Sequence, residues 1–112
     1  MVDIIPAILA ADEASFLKDL HTIGSSAPLI HIDICDGVFV PTVSWADPAI
    51  LTQALLVDAE LHLMVADPKT ELQRWSRVSR VTRALIHIEA AGQNFSSLAS
   101  QCRAMAGTPM RY

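Results

Sequence analysis

The residues of this chain that could do chemistry come in pairs spaced two apart. "LIHIDICDG", Leu29 to Gly37, sets His31 and Asp33 into a run otherwise rich in Leu, Ile and Cys. "AELHLMV" carries His62 and Met64, and "RALIHIE" carries His87 and Glu89. In a strand, residues two apart point to the same face, so His31 and Asp33 project together, and so does each later pair. A carboxylate near a core is tolerated when something pairs it. Imidazole nitrogens together with a carboxylate oxygen suit divalent Zn, Fe, Mn or Co, among which geometry rather than affinity selects. On adjacent parallel strands His31, Asp33 and His62 would converge within reach of one ion, and a metal or catalytic site is the reading their joint occurrence favours. Taken singly, each has a plainer role. A strand-end histidine can be a hydrogen-bonded rim residue, Met64 core filling, Glu89 a solvated strand end, and Asp36 before Gly37 a turn residue. His21 falls in the first helical segment and reads as surface.

The elements that would position these residues alternate. "VDIIPAIL", "PLIHIDIC", "AELHLMV" and "RALIHIE" read as strands. "DEASFLKDLHTI" opens on an Asp N-cap and spaces Phe16, Leu20 and Ile23 three or four apart. "DPAILTQALL" and "DPKTELQRWSRV" each begin Asp-Pro, a cap followed by proline in the first turn, and "NFSSLASQCRAM" sets Phe95, Leu98 and Cys102 at helical spacing. A βαβαβαβα order means an α/β fold, with parallel strands joined by right-handed crossovers. The strands are expected to be apolar on both faces, and their carboxyl ends, where the three histidines fall, are where sites assemble in such folds.

With 112 residues, 52% hydrophobic and 18% charged, the chain suits one small domain with a buried core rather than disorder. A net charge of −4 gives no electrostatic case for nucleic acid. Five of the eight basic residues, Lys69, Arg74, Arg77, Arg80 and Arg83, fall in one segment that reads as a solvated helix face. No apolar run approaches the ~20 residues that span a bilayer, and the N-terminus reads as a strand rather than a secretion peptide. Cys35 and Cys102 are not spaced like a zinc knuckle or a redox pair, so the expectation is a reduced, cytoplasmic protein with no membrane partner. Four βα units leave two open sheet edges, and "AGTPMRY" after Met105 reads as the start of a fifth strand. Residues 1–112 are therefore expected to be a single (βα)4 unit, truncated before strand five or completed by a second copy through the open edges. Flavodoxin-like domains usually have five strands and fit less well.

"IIPAILAAD", "HIDICDGVFVP", "LHLMVADP" and "IHIEA", in this order and spacing over roughly residues 3 to 92, resemble the ribulose-phosphate 3-epimerase family. The resemblance implies the N-terminal half of a (β/α)8 TIM barrel of the ribulose-phosphate-binding type. It implies that His31, Asp33 and His62 are ligands of a catalytic divalent metal, and that Asp33 is one of two acid/base aspartates. His62 and Met64 would lie against the substrate, a phosphoketose. The implied reaction interconverts D-ribulose 5-phosphate and D-xylulose 5-phosphate by moving the proton at C3, in the pentose phosphate pathway. That proton is acidic because the C2 carbonyl can take up charge, which a metal stabilises, and inversion needs an acid and a base on opposite faces.

The chain also departs from the family pattern. Ala7 stands where a serine usually touches substrate, Thr42 where an asparagine follows "FVP", and Cys35 where the family has a methionine. The second acid/base aspartate, also the fourth protein ligand, and the phosphate-binding loops lie on later strands of the family. As this chain the protein is expected to be inactive or weak. The alternative is a non-catalytic metal- or sugar-phosphate-binding half-barrel that self-associates. The related orotidine-phosphate and keto-gulonate-phosphate decarboxylases carry Asp-x-Lys-x-x-Asp on a strand, whereas "DICDG" has no lysine. An epimerase for another phosphoketose, such as allulose 6-phosphate, stays open.

Overall fold

A computed structural model describes residues 2–104 of the chain. Four strands form one parallel sheet in the order β1-β2-β3-β4: Ala7–Ile8, Leu29–Cys35, Asp58–Met64 and Val81–Ile86. Between them run α1 (Glu13–Ile23), α2 (Pro48–Ala54) and α3 (Pro68–Trp75). After β4 come the short α4 (Ile88–Ala91), a 3-10 turn (Gly92–Asn94) and α5 (Phe95–Ala104). This is the α/β order expected, and neighbouring strands are consecutive in sequence, as in half of a (β/α)8 barrel. The fifth strand expected after Met105 lies outside the described residues.

The helices start where their caps stand. Asp12 accepts the Ser15 N–H at 2.8 Å, Asp47 the Ala49 N–H at 2.9 Å and Asp67 the Thr70 N–H at 3.2 Å, each satisfying an orphan donor of the first turn. The Ser15 N–H holds the Asp12 carboxyl below the usual range, and for Asp67 the Thr70 hydroxyl, 2.7 Å away, does so first and the Thr70 N–H second.

Strand parity then divides the sheet into two unlike faces. Ile30, Ile32, Ala59, Leu61, Leu63 and Ala84 are buried on the helix side, against Phe16, Leu20, Leu51, Leu72 and Trp75. The other face carries His31, Asp33, Glu60, His62, Arg83 and Leu85. The expectation of strands apolar on both faces is thus corrected: the helix-facing side is apolar throughout, whereas the second face sets a polar network among Cys35, Met64 and Leu85. On this face Glu60 is 6% exposed whereas Leu85 is 40% exposed.

Three other expectations change. The first strand is two residues rather than "VDIIPAIL", because Pro6 has no N–H to give; its carbonyl accepts the His31 N–H at 2.8 Å, and Val2 to Ile5 stay exposed. The fourth strand ends at Ile86, so His87 is the N-cap residue of α4 and Glu89 lies inside that helix. The basic segment is not one helix face. Lys69 and Arg74 are on α3, where Arg74 pairs with Glu71, but Arg80 meets Asp58 at 3.6 Å and Arg83 turns into the polar face.

Candidate active site

Register brings the polar residues together. On β2 and β3, Asp33 lies beside His62, His31 beside Glu60, and Cys35 beside Met64. Because parity puts all six on one face, their side chains rise from neighbouring strands toward a common region at the carboxyl end. Asp33 Oδ1 is the meeting point: His31 Nε2 stands 3.0 Å from it and His62 Nδ1 2.9 Å. The two rings are tilted, with centroids 5.3 Å apart. All three side chains are only partly exposed, between 17% and 27%. The grouping of His31, Asp33 and His62 foreseen from spacing is therefore present in space.

The remaining ring nitrogens are engaged too. His31 Nδ1 lies 2.8 Å from Glu60 Oε1, and Glu60 Oε2 accepts from Arg83 at 3.1 Å. His62 Nε2 lies 2.9 Å from His87 Nε2, the rings nearly stacked at 5.0 Å. His87 in turn has Glu89 at 3.6 Å on its Nδ1 side and the Phe39 ring at 5.2 Å. A continuous polar chain thus runs Arg83, Glu60, His31, Asp33, His62, His87.

The donor set fits a divalent cation. Two imidazole nitrogens and a carboxylate oxygen lie within 4.8 Å of one another. This is the N,N,O combination that Zn, Fe, Mn and Co accept. His87 sits one bond beyond His62, so it reaches the cluster through that ring.

Other singled-out residues take defined places. Met64 is half-buried beside Cys35 on the polar face, and exposed Ala7 is registered against His31. Cys35 is buried; burial pushes its thiol up, the Asp33 charge adds to this, and it stays protonated. Ser44 ties the strand end, accepting the Cys35 N–H at 2.8 Å and donating to the Asp33 carbonyl at 3.0 Å. Asp36 is a turn residue as read, accepting the Val38 and Phe39 N–H groups at 2.8 and 2.9 Å. It also takes the Ala66 N–H of the next loop at 2.8 Å, which fastens the loops after β2 and β3 together. His21 is exposed on α1, as expected.

Sequence reasoning missed Glu60 and Arg83. Glu60 is two residues before His62, so parity alone puts it on the site's face, but in "AELHLMV" it sits within a run that reads as apolar. Arg83 was masked by the basic segment.

A parallel α/β sheet carrying a polar cluster at the carboxyl ends of adjacent strands belongs to the class in which barrel sites are built. The family model described as "Ribulose-phosphate 3 epimerase family" matches residues 3–109, and the chain belongs to that family. It is similar to the ribulose-phosphate 3-epimerase of Chlamydia trachomatis, 30% identical over 108 residues, covering 91% of this chain and 46% of that protein. It is also similar to the ribulose-phosphate 3-epimerases of Mycobacterium leprae, 38% identical over 77 residues, and Rhodobacter capsulatus, 34% over 68. Those matches cover 65% and 58% of this chain and 31% and 30% of the relatives. The chain thus spans about half, or less, of the length of the curated relatives it matches. No helix among the described residues is long and apolar enough to cross a membrane.

Proposed function

We propose that this chain carries the metal-binding half of a ribulose-phosphate 3-epimerase site, and one of its two acid/base groups. The reaction is interconversion of D-ribulose 5-phosphate and D-xylulose 5-phosphate at C3, a cytoplasmic step of the pentose phosphate pathway. The observation that carries this reading is the convergence of His31 Nε2 and His62 Nδ1 on one oxygen of Asp33.

His31, Asp33 and His62 would hold the ion, Zn, Fe, Mn or Co. When bound, it supplies Lewis-acid stabilisation of the charge that builds up on the substrate's carbonyl oxygen. Asp33 is suited to two duties because its oxygens differ. Oδ1 faces both imidazoles, while Oδ2 has no hydrogen-bond partner among the described residues and is available to take or return the C3 proton. Met64 and Ala7 stand on the same face beside the cluster, and with His62 they would lie against the substrate.

Asp33 alone serves one face of the substrate. These residues by themselves are therefore expected to exchange the C3 proton without inverting the carbon. The test is NMR of D-ribulose 5-phosphate in D₂O with the purified chain and Zn, Mn, Fe or Co in turn. Deuterium entering at C3 with little xylulose 5-phosphate supports the assignment of Asp33. No exchange from folded protein with any of the four metals overturns it.

A second reading is a non-catalytic half-barrel that binds metal or a sugar phosphate and self-associates. It is favoured by the outer edges of β1 and β4, which have no partner strand among the described residues. Metal uptake without proton exchange, from a dimer on a sizing column, would favour it.

A further inference from the structure

We infer that Glu60, braced by Arg83, is a positioning residue that decides which nitrogen of His31 faces the metal. The inference rests on the reading of His31, Asp33 and His62 as metal ligands, and deepens it.

Glu60 is a carboxylate in an unexpected place, 6% exposed in the middle of β3. A buried carboxylate is destabilising unless its oxygens are matched, and both of these are. Oε1 faces His31 Nδ1 at 2.8 Å and Oε2 accepts from Arg83 at 3.1 Å. A carboxylate accepts and does not donate, so His31 must keep its proton on Nδ1 to hold this bond. Nε2 faces Asp33 Oδ1 at 3.0 Å, and an ion held between these two atoms would take the place of that hydrogen bond while Glu60 keeps the proton on Nδ1. A carboxylate on the far nitrogen of a ligating histidine both sets the tautomer and makes the ligand more basic.

The backbone supplies independent support. Between β3 and β4 the register shifts: Ala59 lies beside Val81, but Glu60 lies beside Arg83, so Thr82 is passed over. An unbroken ladder would place Thr82 beside Glu60 and send Arg83 to the helix side. The irregularity therefore turns Arg83 onto Glu60's face, the use to which bulges near sites are put. Arg83 remains 40% exposed, long enough to bury its stem while its guanidinium holds the carboxylate.

The test is Zn²⁺ binding to the full chain, by competition with a chromophoric chelator, in wild type, Glu60→Gln, Glu60→Asp and Arg83→Met. It is joined to long-range ¹H–¹⁵N NMR of the histidine rings in the zinc-loaded protein. In wild type, His31 is expected to keep its proton on Nδ1 and bind through Nε2. Glu60→Gln should weaken zinc about 10- to 100-fold, the usual effect of removing such a partner, with Glu60→Asp recovering part of the loss. Arg83→Met, at the more exposed position, should fold normally and weaken zinc by a smaller factor. A folded Glu60→Gln that binds zinc like wild type, an Arg83→Met with wild-type affinity, or a zinc-bound His31 protonated on Nε2 overturns the inference while leaving the site intact. Wild-type chain that takes up no zinc at His31 and His62 overturns the metal reading itself.

Discussion

Asp33 and His62 sit side by side in the β2–β3 ladder, and His62 Nδ1 reaches Asp33 Oδ1 at 2.9 Å, the same oxygen that His31 meets from within β2. Shared use of one oxygen makes Asp33 the residue on which the cluster depends. Asp33→Asn keeps the shape but replaces the anionic oxygen with a neutral amide. Zinc affinity is expected to fall by more than about 100-fold, beyond the loss typical of an outer-shell change, while the far-UV circular dichroism stays that of wild type. A chelator competition titration checks both protein forms.

Stability and site chemistry are separable because the sheet's two faces do different work. Leu61 is fully buried on the helix side, so Leu61→Ala should cost about 2–5 kcal/mol in urea unfolding. His62 is its neighbour in sequence but points to the polar face. His62→Ala should change the metal-free protein's stability by less than about 1 kcal/mol while removing metal binding.

The loops above the site have their own pH dependence. The Ala66 N–H above all holds the Asp36 carboxyl below its ordinary value; burial, the next largest effect, opposes it, and the Phe39 and Val38 N–H groups add to the lowering. A folded-state value below the unfolded one means that the contribution is full above the ordinary aspartate range of about 4 and fades as pH falls through the lowered value. Asp36→Asn should therefore lower the urea midpoint by a constant amount between pH 7 and 5, and the gap should narrow in more acid solution. A gap that persists unchanged at low pH would contradict the assignment.

Gly37 is the next residue and has a φ of +77°, where an added Cβ would stand 2.7 Å from Val43 Cγ2. Gly37→Ala meets both a disfavoured backbone region and a side-chain clash, and should destabilise by about 1–3 kcal/mol. Val43→Ala added to it should restore part of the loss, since it removes the clash and leaves the backbone strain. The double-mutant cycle is read by denaturant unfolding.

What the sequence made legible followed from periodicity. The two-residue spacing of His31 and Asp33, with His62 on the next parallel strand, puts three side chains together from sequence alone, because strand parity is strict. The Asp-Pro starts of α2 and α3 were legible because proline at the first turn and an aspartate cap each answer a local need. Illegible features depended on tertiary register. Arg83 reaches Glu60 only because the ladder shifts after Ala59, and nothing in "VTRALI" announces a skipped residue. His87 was foreseen on a strand, yet it caps a helix and reaches the cluster through His62.

The central claim, one divalent ion held by His31, Asp33 and His62, is tested most directly by titrating Zn²⁺ into ¹⁵N-labelled chain and following the histidine rings. The expected result is that His31 and His62 change together and saturate at one equivalent, while exposed His21 on α1 stays where it was. Rings that do not respond, or a response of His21 equal to theirs, would contradict it.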